Sequence, residues 1–193
     1  REGVLSSGMR AVEPCAGAGH ITRVLNEFPF SFLNVKQFDI DPFWGHEIVD
    51  ATTNDVEGEA YVTNPPFSLA IPITIQMIQN LSRRAGDGFV AVYHRISLME
   101  PAGGREQFWN TYNPCYQLIC PRVAHRRSKK TGKWTTDTMT CMWSVWRKHY
   151  THRNKKTQII WADKTVRREL HNEQEAFRAE IDQLVQQIER SFT

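Results

Sequence analysis

Short apolar runs bounded by turn residues alternate along this chain with longer stretches whose apolar positions recur at helical spacing, which predicts alternating strands and helices. Residues 9–12 read as a strand running into Glu13-Pro14, after which Gly17 and Gly19 open a helix through about residue 27. Residues 35–40 form a second strand, ended by Asp41-Pro42, and residues 47–49 a short third. A fourth, residues 60–63, is stopped by Asn64-Pro65-Pro66, because proline cannot donate to a sheet ladder. Residues 68–84 carry Leu69, Ile73, Met77, Ile78 and Leu81 at helical spacing, with Pro72 tolerated near the first turn. The turn Gly86-Asp87-Gly88 leads into a buried strand at 89–93. Residues 116–120 and 139–146 read as two further strands joined by a loop over 121–138. Alternation of this kind followed by a late strand pair predicts an α/β fold with a mainly parallel sheet covered by helices on both faces.

The last segment differs. Leu170, Phe177, Ile181, Leu184 and Ile188 lie 7, 4, 3 and 4 residues apart among Glu, Arg and Gln, one apolar stripe along a long helix over 164–193. Packing on its own domain and pairing with a second chain both suit that stripe. A domain over residues 1–160 and this helix are the expected organisation, since 193 residues suffice for one well-buried core. No run approaches the roughly 18–20 apolar residues of a membrane span, and residues 1–10 lack the apolar stretch of a signal peptide. A soluble intracellular protein is expected. The start at Arg1, with the first motif following almost at once, is what a trimmed or processed chain would show.

The net charge of +3 conceals a polarised molecule. Residues 121–156 hold eleven basic residues and one acid, Asp137, a balance of +10; the rest holds thirteen bases and twenty acids, a balance of −7. Such a basic surface attracts a polyanion. Trp134, Trp143, Trp146 and Tyr150 put planar faces among the cations, as binders of single-stranded or flipped bases do. Arg122, Arg126, Arg127, Lys129, Lys130, Lys133 and Trp134 are the candidate contacts to nucleic acid, and the charge does not separate DNA from RNA. A solvated loop beside core tryptophans is the plainer alternative for the charge run alone. The four cysteines form no C-x-x-C pair and have no histidines at ligand spacing, so no metal site and no disulfide framework is expected.

Two motifs carry chemistry. In Glu13-Pro14-Cys15-Ala16-Gly17-Ala18-Gly19, between a strand and a helix, glycines let the backbone pass close to a ligand. With Glu13 before the loop and Asp39 ending the next strand, carboxylates stand ready for an amino group and ribose hydroxyls. Dinucleotide enzymes use G-x-G-x-x-G, but Thr22 stands where the third glycine would fall, so the loop suits a nucleoside with little or no phosphate. The second motif, Asn64-Pro65-Pro66-Phe67, follows the fourth strand and suits alkylation of an aryl amine. Adenine's exocyclic nitrogen shares its lone pair with the ring. The Asn64 side-chain oxygen and the Pro65 carbonyl can accept its two N–H groups and turn the lone pair toward an incoming methyl, while Phe67 stacks the extruded base.

In this order, about fifty residues apart, the two motifs resemble those of S-adenosylmethionine-dependent N6-adenine DNA methyltransferases, over roughly residues 9–146. The resemblance implies a Rossmann-like class I fold with seven strands and an antiparallel last strand, S-adenosylmethionine as cofactor, and Asn64, Pro65, Pro66 and Phe67 as catalytic residues. It implies that Glu13, Pro14, Cys15, Ala16, Gly17 and Gly19 line the methionine end, that Asp39 and Ile40 face the ribose, with Asp41 the competing candidate, and that Asp50 and Ala51 meet the cofactor adenine. The run Cys120-Pro121-Arg122 through Lys133, then Thr136-Asp137-Thr138-Met139 and Trp143-Ser144-Val145-Trp146, is similar to the small stand-alone adenine methylases of phages. No separate target-recognition domain fits the length, so recognition would rest on residues 95–114, on the basic loop or on a partner. Asn-Pro-Pro-Tyr/Phe also serves protein-glutamine and structured-RNA methyltransferases, which, with a silent nucleic-acid-binding subunit, are the alternatives.

Other candidates read better as structure: Cys115 as a core thiol, His149 and His152 as solvent-facing, Trp143 and Trp146 as partly core. His94 and Arg95, ending the fifth strand, either edge the substrate cleft or form a simple strand end.

Overall fold

The computed structural model describes residues 8–27, 32–120, 124–127, 134–136, 139–148 and 156–162. The long amphipathic helix expected over 164–193, and the loop residues Arg122, Lys129, Lys130 and Lys133, lie outside the described residues. Residues 1–119 and 141–160 form one compact unit, and residues 120–140 and 161–193 a second.

The chain runs β1 (Arg10–Glu13), α1 (His20–Leu25), β2 (Asn34–Asp39), β3 (Glu47–Ile48), β4 (Ala60–Thr63), α2 (Ala70–Arg83), β5 (Phe89–Arg95), α3 (Arg105–Thr111), β6 (Tyr116–Ile119), β7 (Ala124–Arg127), β8 (Trp134–Thr136), β9 (Cys141–Arg147) and β10 (Gln158–Trp161). Short 3-10 turns stand at Pro42–Trp44, Phe67–Leu69 and Ile96–Met99. Eight strands make one sheet in the order β10-β6-β9-β5-β4-β1-β2-β3. β1 through β5 pair in parallel, and β9 inserts antiparallel between β5 and β6.

Period-two alternation divides the strand side chains between two cores. Val12, Tyr61, Val90 and Val92 face Ile73, Met77 and Leu81 of α2, together with Phe108 and Trp146. Ala11, Ala60, Val62, Phe89 and Ala91 face Leu25 of α1, with Trp143 and Val145 packed alongside. Of the tryptophans of β9, Trp143 is half-buried and Trp146 is core, at 5% exposure with its indole N–H donating to the Tyr112 carbonyl at 2.6 Å.

The structure departs from the sequence reading at several points. The sheet has eight strands rather than seven: β10 has all four residues exposed, so burial left no alternation to read, and it is anchored where Gln158 N–H meets the Cys115 carbonyl at 3.0 Å. The antiparallel β9 is therefore not the last strand. The basic loop contains the hairpin β7–β8, bulged between Ala124 and Arg126, and belongs to the second unit. α3 occupies part of the stretch 95–114, where only Phe108 among its residues is buried. The helix after the glycine loop is shorter than expected, six residues.

Candidate active site

From β1 the chain passes outward through β2 to β3, then returns to place β4 on the other side of β1. The sheet order therefore reverses at β1, and the crevice beyond the carboxyl ends of β1, β2 and β4 is where parallel sheets of this type bind ligands. The loops that leave those ends are the glycine loop, the Asp39–Asp41 turn and Asn64-Pro65-Pro66-Phe67. They line one cavity of about 500 Å³, within the roughly 300–1,000 Å³ of small-molecule sites.

The glycine loop is held from the next strand. Asp39 accepts Gly17 N–H at 2.7 Å through Oδ2 and Asp41 N–H at 2.9 Å through Oδ1. His46 Nε2 bonds the Gly17 carbonyl at 2.8 Å, and Ala16 N–H donates to the Phe38 carbonyl at 2.9 Å. Gly17 and Gly19 take φ of +50° and +73°, a region that favours glycine. Because Gly17 N–H already donates to a carboxylate, it does not cradle a phosphate.

The cavity wall holds three carboxylates, Asp39, Asp41 and Asp50, and, among the described residues, no lysine, arginine or histidine. Asp41 spends Oδ1 on Phe43 N–H at 3.0 Å, capping its own turn. Asp50 accepts Thr52 N–H and the Thr52 hydroxyl on Oδ1, which hold its pKa below the ordinary value; among the described residues, Oδ2 takes no hydrogen bond. Gln76 and the buried Asn80 of α2 fix the loop after Asp50 by donating to the carbonyls of Thr53 and Asn54. Ile40, Trp44, Phe67 and Leu69 are exposed on this wall, at 61, 42, 38 and 43%, and offer apolar faces between the acids. Burial pushes the Cys15 thiol up to about 12, so it lines the cavity as a neutral group.

Of the predicted cofactor residues, Pro14, Cys15, Gly17, Asp39, Ile40, Asp50 and Ala51 lie on the wall, as do Asn64, Pro65, Pro66 and Phe67. Ala16 and Gly19 shape the loop without lining the cavity. Glu13 stands behind the loop at 2% exposure, its Oε2 accepting Thr22 N–H at 2.6 Å and the Thr22 hydroxyl. It satisfies an orphan N–H in the first turn of α1, the work of a helix cap supplied from another element. Burial raises it to about 7 against the pull of those two bonds.

Arg126, Arg127 and Trp134 fall on the hairpin β7–β8 of the second unit. Cys115 is 1% exposed and its thiol donates to the Val145 carbonyl at 2.9 Å, a core role. The sequence reading did not single out Trp44 or Thr52, and it took Leu69 as part of a helical stripe rather than as a wall of the site. Among the described residues, no helix is long and apolar enough to cross a membrane, and no cluster of three His, Cys, Asp or Glu could hold a metal.

No protein-family model and no curated protein sequence matches the chain. Among solved structures it is similar to the methyltransferase subunit of a type I restriction-modification system from Streptococcus thermophilus, at TM-score 0.56 and 11% identity over 88% of this chain and 49% of that one. It is also similar to the M protein of the EcoKI type I restriction enzyme, at TM-score 0.54 and 11% identity over 79% of this chain and 44% of that one. The chain spans about half the length of each. The class these likenesses define is the fold, Rossmann-like and of the class I methyltransferase type.

Proposed function

We propose that this protein binds S-adenosylmethionine and methylates the N6 amino group of adenine in DNA. The observation that carries the reading is that Asn64-Pro65-Pro66-Phe67 and the glycine loop share one cavity at the switch point of the sheet. The fit of the cofactor rests on the donor set: three carboxylates with no cation suit a ligand bearing hydroxyls and positive charge, and disfavour a phosphate. S-adenosylmethionine supplies an electrophilic methyl on a sulfonium when bound.

The chain's residues do the remainder. Asp39 and Asp50 accept the hydroxyls and the amino group of a nucleoside, and Ile40, Trp44 and Leu69 cover its apolar faces. Phe67 stacks an extruded purine. The Asn64 oxygen and the Pro65 carbonyl accept the two N–H groups and aim the lone pair into the cavity; the nitrogen loses its proton to solvent once alkylated, so no base is required. Positioning and electrostatics supply the rate.

DNA is favoured over a protein acceptor by the +10 segment. The test is incubation with labelled S-adenosylmethionine and parallel DNA, RNA and protein acceptors, then digestion. Label in N6-methyldeoxyadenosine supports the reading; label confined to RNA adenine or glutamine would replace it, and no label despite cofactor binding would mark a silent nucleic-acid-binding subunit.

A further inference from the structure

Phe67 lines several cavities, two of which differ in charge. The larger, described above, is walled by three aspartates. The second, of about 240 Å³, is lined by Phe67, Ser68, Ala70, His94, Arg95, Ser97, Leu98 and Arg105, with two arginines, two serines and, among the described residues, no acid. Its arginines are placed from separate elements. Arg95 ends β5 and lays its guanidinium over the Phe67 ring, 4.3 Å from the centroid. Arg105 starts α3, with Nε donating to the Ala102 carbonyl at 2.8 Å and Nη1 to the Ser97 carbonyl at 2.9 Å. Those bonds fix the guanidinium plane and leave its remaining N–H groups for a ligand. His94 adds no charge: it is buried, bonded through Nδ1 to the Arg95 carbonyl and through Nε2 to the Ser144 hydroxyl, and burial lowers its pKa.

We infer that this second cavity is a phosphodiester subsite in which Arg95 and Arg105 grip the backbone linkage next to the nucleotide whose base stacks on Phe67. The inference rests on the reading of Phe67 as the platform for an extruded adenine. Planar guanidinium forks match phosphate oxygens, and two of them on one cavity wall beside two serines make a site for an anion. The shared ring fixes which anion, because a strand whose base lies on Phe67 must carry its own linkage past the neighbouring cavity.

The test uses the full chain, S-adenosylhomocysteine to hold the cofactor site filled, and a fluorescent single-stranded oligodeoxynucleotide with one adenine in random flanks. Versions with a neutral methylphosphonate on either side of the adenine are bound in parallel. One neutral linkage is expected to weaken the wild-type protein about tenfold, the loss of one charge-assisted contact. Arg95→Ala should weaken the unmodified strand by a similar factor and respond less than twofold to the neutral linkage. Arg95→Lys and Arg105→Lys, which keep the charge, should fall between. Arg95→Ala with Arg105→Ala should lower the salt slope by about 0.7, the value for one neutralised phosphate on a single strand, with cofactor affinity unchanged. A neutral linkage that costs the variants as much as the wild type, or variants that bind the unmodified strand normally, would overturn the subsite. Methyl transfer by the wild type is scored separately: absent transfer with an intact cycle removes the adenine reading and leaves the subsite, and the reverse result does the opposite.

Discussion

The Gly17 backbone N–H and the Asp39 carboxylate, 2.7 Å apart, join the loop after β1 to the end of β2. One carboxylate thereby sets the loop's shape and presents negative charge to the cavity. Asp39→Ala removes both effects. It should weaken S-adenosylmethionine binding about tenfold or more, the scale of a lost charge-assisted bond, as read by calorimetric titration; unchanged affinity would take Asp39 out of the site.

Gly19 combines φ of +73° with a position where an added Cβ would lie 3.2 Å from Gln37 Oε1. Left-handed backbone costs a side chain roughly 1–2 kcal/mol. Gly19→Ala should therefore lower Tm by about 5 °C in a chain of this size and loosen the loop, whereas an unaltered melting curve would mean the turn is not held as described.

Glu13 gives a pH dependence. Its carboxyl is raised from 4.5 to about 7, so between those values the folded chain binds the proton that the unfolded chain has released, and stability falls as pH rises through that window. Glu13→Gln keeps an acceptor for Thr22 without the buried charge. It should stabilise the protein at pH 8 by up to about 3 kcal/mol, at about 1.4 kcal/mol for each pKa unit, and make little difference near pH 4. Melting curves at the two pH values check this, and equal destabilisation at both would contradict it.

Charge reversal at Arg126, Arg127, Lys129 and Lys130 should weaken nucleic-acid binding and flatten its salt dependence. Filter binding at several salt concentrations reads the slope, and an unchanged slope would place the substrate surface elsewhere.

What the sequence made legible was what local pattern controls. β1, β4, β5 and α2 came from apolar periodicity, and Asn64-Pro65-Pro66-Phe67 from the stop that two prolines impose. What it hid was non-local. Glu13 looked like a ligand group because nothing in the spacing shows that Thr22 would meet its carboxylate; β10 has no buried face; α3 offers one buried aromatic over seven residues. The contact of Arg95 with Phe67 joins residues 28 positions apart and needed the β4–β5 pairing to bring them together.

The central claim is that Asn64 polarises the amine in a cavity where other residues hold the cofactor. Its most direct test is the yield of N6-methyldeoxyadenosine from DNA with Asn64→Ala, at cofactor concentrations that calorimetry shows to saturate the variant. The account predicts near-normal cofactor binding and no methylated nucleoside. Methylation at a rate close to that of the unaltered protein would contradict it.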